Sequence, residues 1–307
     1  MGTTYHVTVV TGWFQPISGL REAIELRLKE INQSMSTYIH DSEISRFNRF
    51  QRAGRPFPIS SDFFEVMKTA RTIYRLSNGA WDGTVSPLIT LWGFGPETVP
   101  VRVPPPQQIA ARLSAIGFAD IEVKDPGILI KKRAAVTLDL SSIAKGYGVD
   151  QVADVFASRG FKDYLVEIGG EVVASGRRRD GKLWRVGINQ PRPAAGANEV
   201  YRVVDLDDAA LATSGDYRNF FTLNSIRYSH VIDPKTGYPV SNSVVSVSII
   251  ADSCTFADGL ATAIMVMGAE KGLRLLNRLD GVEGLIVLQE PNDRLVDYAS
   301  DGFDSRR

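Results

Sequence analysis

The 307 residues set 35 Lys and Arg against 35 Asp and Glu, so no basic field attracts nucleic acid or an anionic membrane, and the expected partner is a small molecule or a protein. A single cysteine, Cys254, excludes an internal disulfide and, with three histidines, leaves too few soft ligands for a closed zinc centre, while oxygen-ligated magnesium or calcium stays open. The length allows a large core in one or two domains; no apolar run approaches the ~18 residues of a membrane span and no charged-then-apolar leader follows Met1, which fits a cytosolic chain or one trimmed of its leader.

Residues 1–10 alternate as a strand does, and Leu20, Ile24, Leu28, Ile31 and Met35 then mark one face of a helix. Residues 35–38 and 42–48 read as a polar loop dotted with aromatics, suited to a pocket lining or to open surface. Asp62 with Glu65 reads as a capping box opening a helix whose apolar face is Phe63, Val66, Met67, Ala70 and Ile73. Beyond Gly79, residues 80–95 carry Trp81, Asp82 and Trp92 among glycines. The two indoles suit a core; an aromatic, an acid and a glycine-rich turn can equally stack a flat ring system and hydrogen-bond its edge. Five prolines in residues 96–106 indicate a surface connection, followed by a helix at about 107–116 closed by Gly117.

Residues 135–140 read as a short strand, and Val149, Val152, Ala153 and Phe156 fall at the i, i+3, i+4 and i+7 positions of a helix with one buried face. The segment LDLSSIAKGYGVD, residues 138–150, therefore runs an extended stretch into a helix N-terminus. Unpaired N–H groups, a partial positive charge and Lys145 suit a phosphate-bearing ligand there; a solvated lysine on an ordinary turn is the alternative. Gly146-Tyr147-Gly148 continues to Gln151 where a dinucleotide fingerprint needs a third small residue, and no G-x-x-x-x-G-K-[ST] occurs, so an NAD-linked oxidoreductase lacks its signature.

Residues 164–168 read as a buried strand ending in Gly169-Gly170, with further strands near 184–188 and 201–206 around a Pro/Gly/Ala loop at 191–197. The spacing favours antiparallel hairpins and an α+β fold over a doubly wound sheet. Asp233-Pro234 begins a type I turn that Gly237 releases, which sets His230 on the strand just before it. A lone histidine is more often structural than catalytic; Asp216, Arg218 and Asp233 nearby raise the weight of the catalytic reading. Residues 244–250 form a strand, and Asp252 or Ser253 caps a helix running to Met267. Within it Asp258 and Thr262 share a face, so a carboxylate and a hydroxyl could meet one hard cation, or the Asp could accept from a nearby hydroxyl. A helix through Leu273, Leu276 and Leu279, a strand at 285–289 and a polar tail close the chain.

Several segments taken together resemble the ApbE family, the FAD:protein FMN transferases: Met1-Gly2-Thr3, STYIHDSEISRFN, GAWDGTVSPLITLWGFG, LDLSSIAKGYGVD, YLVEIGG, ATSGDYR, YSHVIDPKTGYPV and ADGLATA. They stand in the family's order and reach to about Tyr298. The resemblance implies one domain over residues 1–307 with two intimately associated lobes sharing a site, built of mixed or antiparallel sheets with packed helices. It implies FAD bound with magnesium, and transfer of FMN to a Ser or Thr hydroxyl of a target flavoprotein with release of AMP.

On matching positions, Asp258, Thr262 and the carbonyl of Ala144 would be metal ligands. Met1, Tyr38, Ala80, Trp81, Asp82, Asp139, Lys145 and Ile232 would contact FAD, and His230 would be the base, with Asp258 sharing the catalytic role. Two departures stand out: Ser141-Ser142 where many members have Gly-Gly, and Trp81 where phenylalanine is common. FAD hydrolysis to FMN and AMP, or flavin carriage without turnover, are the alternatives. The resemblance also implies work in the bacterial periplasm, free or anchored to the inner membrane behind a leader this chain would have lost, on a subunit of a membrane redox complex.

Overall fold

The computed structural model describes residues 2–12, 15–95, 102–196, 199–217 and 219–306. In chain order the first half forms β1 (Tyr5–Val9), α1 (Leu20–Met35), α2 (Glu43–Arg49), β2 (Pro56–Pro58), α3 (Ser61–Leu76), α4 (Ser86–Leu91), α5 (Pro106–Leu113), β3 (Ile121–Lys124), β4 (Ile128–Lys131) and α6 (Ser141–Ser158). The second half forms β5 (Tyr164–Ile168), β6 (Glu171–Ser175), β7 (Trp184–Asn189), β8 (Val200–Leu206), β9 (Ala209–Gly215), β10 (Phe220–Leu223), β11 (Ile226–Ser229), β12 (Val244–Ala251), α7 (Cys254–Met267), α8 (Ala269–Leu276), β13 (Glu283–Gln289) and β14 (Leu295–Ala299).

A seven-stranded sheet in the order β1-β5-β6-β9-β12-β13-β14 is the frame, and each neighbouring pair in it is antiparallel. The expected α+β class holds. Gly169 and Gly170, at φ 64° and 106°, make the two-residue turn that pairs Ile168 with Glu171. Positive φ at both positions gives a hairpin turn that matches the strand twist, which a side chain would oppose. The central strand β12 is buried along its whole length. Val247 and Ile249 face one core while Val245 and Ile250 face another, so an apolar run without alternation is what this position requires.

Helices α1, α3, α6 and α7 cover one face through Ile31, Met67, Ile73, Val152, Phe156, Leu260 and Ile264. The β7–β8 hairpin covers the other with Trp184, Ile188, Val204 and Leu206. Burying each such side chain stabilises the fold by about 1.5–3 kcal/mol. A smaller cluster of Leu88, Trp92, Ile109, Ile116 and Ile232 anchors α4 and α5 beside the 230–240 hairpin. Among the described residues no helix is long and apolar enough to cross a membrane.

The seam between α6 and α7 positions the site. Asp150 on α6 caps α7, accepting from the N–H groups of Cys254 (2.8 Å) and Thr255 (2.9 Å) and from both neighbouring hydroxyls of Ser253 and Thr255. The helices then approach so closely that a Cβ at Gly146 would stand 2.3 Å from the Cys254 carbonyl oxygen.

Four local expectations need correction. Residues 135–140 join no sheet: the Asn48 side chain takes both backbone groups of Leu138, at 2.7 and 2.8 Å, and so replaces a strand partner. Residues 43–49 are not loop but α2, because Ser42 caps the Ser45 N–H (3.2 Å) and Ile44 and Phe47 are buried on one face. The cap of α3 is Ser60, not Asp62, whose carboxylate is held by Arg27 at 2.5 and 2.7 Å. His230 lies one residue past β11 rather than on it.

Candidate active site

The α6–α7 seam opens into a cavity of ≈ 320 Å³, closed by the end of β9, residues 80–89 and the 230–234 segment. Ala80, Trp81, Asp82, Asp139, Lys145, His230, Ile232, Asp258 and Thr262 all line it, so residues far apart in sequence meet around one space. Ala144 stands one residue before Lys145 in the first turn of α6, outside the lining itself. Tyr38 is 82% exposed in the turn after α1 and is likewise not part of the lining. Met1 and Arg218 fall outside the described residues.

The partner of His230 is the Asn219 carbonyl, 3.0 Å from Nδ1, rather than Asp216 or Asp233. Asp216 instead pairs with Arg227 at 3.1 Å, and Asp233 accepts from the Lys235 N–H at 2.8 Å. A carbonyl only accepts, so Nδ1 carries the proton and Nε2 keeps a free lone pair. Burial lowers the His230 pKa from its ordinary 6.5, against an upward pull from the Asn219 carbonyl. The ring is therefore neutral at pH 7, in the tautomer a general base needs.

Asp258 is 3% exposed and its Oδ2 accepts the Gly146 N–H at 3.0 Å. Lys145 reaches not into solvent but to Glu171, which is 1% exposed and whose Oε2 has no partner. Burial works against the Lys145 charge, yet Asp258 and Glu171 outweigh it and raise its pKa. Burial first and Asp258 second push Glu171 up to about 8, and burial also raises Asp258 despite Lys145 and the Gly146 N–H. Two buried carboxylates thus share one ammonium.

Two carboxyls held toward protonation by burial, with too little positive charge to offset it, and the orphaned Glu171 oxygen fit a divalent cation that would favour their ionised forms. Thr262 adds a hydroxyl, 2.9 Å from Ser214 Oγ; donating to Ser214 leaves its lone pairs available. Among the described residues no hydroxyl donates to Asp258, whose partner is the Gly146 N–H. Among the described residues no three His, Cys, Asp or Glu side chains cluster as a metal site, so a cation here would rely on carboxylate, hydroxyl and carbonyl oxygens, the donor set magnesium takes.

Trp81 is both core and wall: it is 2% exposed, packs edge-on against Phe118 at 5.5 Å, and lines the cavity. Its Nε1 donates to Ser142 Oγ at 3.0 Å. The two positions where the resemblance implies a departure therefore meet in one hydrogen bond, which the side chains of phenylalanine and glycine could not make. Trp92 packs away from the cavity, on Tyr228 at 5.5 Å, and donates to the Gly237 carbonyl at 2.8 Å. The Asp82 carboxylate is spent on structure, accepting from Thr84 N–H (2.8 Å), Thr84 Oγ1 (2.5 Å) and Phe118 N–H (3.0 Å). Asp139 accepts from the Ser141 N–H at 2.9 Å and so helps to start α6.

Sequence reading missed Glu171, Ser214 and Asn219. Glu171 did leave a signal, a lone acid directly after two glycines at the head of an apolar run. Ser214 lay inside the ATSGDYR segment without being singled out, and the carbonyl of Asn219 left no signal, because backbone contacts have no local pattern.

A family model described as the ApbE family matches residues 1–286. An FAD:protein FMN transferase of Vibrio cholerae is 42% identical over 309 residues, covering 99% of this chain and 89% of the relative. One of Haemophilus influenzae is 41% identical over 283 residues, covering 91% and 82%. The solved flavin transferase ApbE from Vibrio cholerae superposes with a TM-score of 0.91 at 41% identity, over 100% of this chain and 96% of that one. The apo form of the Pseudomonas stutzeri flavinyl transferase ApbE does so with a TM-score of 0.88 at 38% identity, over 100% and 94%.

Proposed function

The chain belongs to the ApbE family, and from that premise we propose that it is an enzyme that transfers the FMN half of FAD to a Ser or Thr hydroxyl of a protein acceptor, releasing AMP. The observation that carries this reading is the convergence of His230, Lys145, Asp258 and Thr262 on one cavity. A base, a cation and an oxygen donor pair are what splitting a diphosphate onto a hydroxyl requires.

In the proposed reaction His230 Nε2 takes the proton of the acceptor hydroxyl. The oxygen bonds to the FMN-side phosphorus, the bond from that phosphorus to the bridging oxygen breaks, and AMP departs with the bridging oxygen. A base so placed contributes roughly 100- to 10,000-fold. Lys145, held by Glu171, presents a fixed positive charge to the diphosphate side, and Trp81 with Ile232 provides an apolar wall for a flavin. Asp258, Thr262 and the Ala144 carbonyl would hold magnesium, which when bound neutralises charge on the diphosphate.

The test follows AMP and the acceptor's intact mass after incubation with FAD, magnesium and a flavoprotein subunit of a membrane redox complex. AMP with an FMN-sized gain on the acceptor supports transfer. AMP with free FMN and an unmodified acceptor means hydrolysis, and neither product means flavin binding without turnover.

A further inference from the structure

A second cavity of ≈ 350 Å³ adjoins the first and has no part in the reaction above. Leu76, Val266, Met267 and Leu275 give it an apolar floor. Its rim carries Lys235, Lys271, Arg274 and Arg278, all exposed. Arg274 pairs with Glu270, whereas the side chains of Lys235, Lys271 and Arg278 have no acidic partner among the described residues. The one carboxylate in the lining, Asp233, already accepts the Lys235 N–H at 2.8 Å. In a chain of net charge +0 this concentration is local, set by the i, i+3, i+7 spacing of Lys271, Arg274 and Arg278 along α8 and the turn after it.

The two cavities share Ala80 and Val266, and the turn just after His230 divides them, with Pro234 lining the first and Asp233 and Lys235 the second. A polypeptide that brings a hydroxyl to His230 can therefore lay its flanking residues over the basic rim next door. We propose that this cleft seats an acidic stretch of the acceptor protein beside the residue to be modified; this rests on the protein acceptor of the preceding section.

A nucleotide phosphate fits less well. Phosphates favour helix N-termini with free N–H groups, whereas Arg274 and Arg278 stand at the C-terminal, negative end of α8. Long exposed cations over an apolar floor suit acidic side chains interleaved with apolar ones, and act mainly on encounter rate and partner choice.

The probe is fluorescein-labelled hexaglutamate, read by anisotropy at low salt, with labelled hexaglutamine as control. Hexaglutamate is expected to bind and hexaglutamine not, with affinity falling as salt rises. The double variant Lys271→Glu/Arg278→Glu should weaken hexaglutamate at least tenfold, while Lys29→Glu on α1 should not. FAD binding, read by flavin fluorescence, should be unchanged in the double variant. Equal hexaglutamate affinity in the double variant overturns the proposal; so does a parallel loss of FAD affinity, or displacement of the peptide by AMP, which would give the cleft to the nucleotide. Neither readout needs turnover, so an acceptor that is never flavinylated counts against the proposed reaction alone.

Discussion

Replacing Ser142 with alanine removes the acceptor of the Trp81 indole N–H, a 3.0 Å bond from a ring that is 2% exposed. A buried donor left without a partner costs about 1–3 kcal/mol. Alanine recovers a few tenths of a kcal/mol through helix propensity in the first turn of α6, so Ser142→Ala is expected to cost about 1–2 kcal/mol. Trp81→Phe removes the donor as well as some buried area, for about 1–2 kcal/mol, while the half-buried Ser142 hydroxyl can turn to water. In the double variant no indole N–H remains to be orphaned, so the two costs should fall short of additive by about 1 kcal/mol. Equilibrium urea unfolding of the four proteins measures this, with equal slopes showing that the denatured states are alike. Additivity within about 0.3 kcal/mol would refute the reasoning: the indole N–H would then be finding water from the cavity once Ser142 is gone.

His230→Ala should retain FAD binding and lose transfer by roughly 100- to 10,000-fold, measured as FMN gain on the acceptor. Because burial lowers the His230 pKa from 6.5, the base is unprotonated above that region; wild-type transfer should fall only below about pH 6.5, a limb the variant should lack. Asp258→Asn should weaken magnesium binding in calorimetric titration of the resting protein by tenfold or more, and an unchanged isotherm would remove Asp258 from the ligand set. Gly146→Ala drives a Cβ to 2.3 Å from the Cys254 carbonyl oxygen and should destabilise by about 2–4 kcal/mol in urea, where a neutral result would mean that α6 and α7 separate freely. Lys131 is fully buried, donates to the carbonyls of Asn48 and Ala134 above the Phe47 ring, has no acidic partner among the described residues, and has its pKa lowered by burial to about 8 from 10.5. The unfolded chain then binds the extra proton between those values, so stability should rise across pH 8 to 10.5 by on the order of 1–3 kcal/mol, a rise absent from Lys131→Met.

The helical layer was legible because periodicity reports a buried face: the stripe Phe63, Val66, Met67, Ala70, Ile73 is buried in full in α3, and the 149–156 stripe is buried in α6. β6 and β9 were not marked: β6 offers only a short apolar run behind Glu171, and β9 ends in Thr213 and Ser214, which face the cavity and break its apolar pattern. Residues 135–140 looked like a strand and are not, because a side chain from Asn48 outcompetes a strand for Leu138, and nothing local to that segment records it. Single charges show the same limit. The sequence marked Lys145 as a phosphate cation or a solvated one, but only the hairpin turn at Gly169-Gly170 brings Glu171 back to hold it.

The close approach of α6 and α7 explains why chemistry and instability sit together at this seam. Gly146 lets the helices touch, and Gly259 does the same on the side facing Ile73, where a Cβ would stand 2.5 Å from that side chain. The Gly146 contact closes directly over Asp258, and burial there and at Glu171 on β6 pushes both carboxyls toward protonation, with an oxygen of Glu171 left unpaired. An apolar seam would be more stable than two carboxylates sharing one lysine. Such an arrangement gains most from a cation that binds only the folded state, since binding adds to folding stability while removing the electrostatic cost. Saturating magnesium should therefore raise the urea midpoint of the wild type, and that gain should shrink in Asp258→Asn by about 1.4 kcal/mol for each tenfold loss of affinity, even though the substitution relieves part of the resting charge.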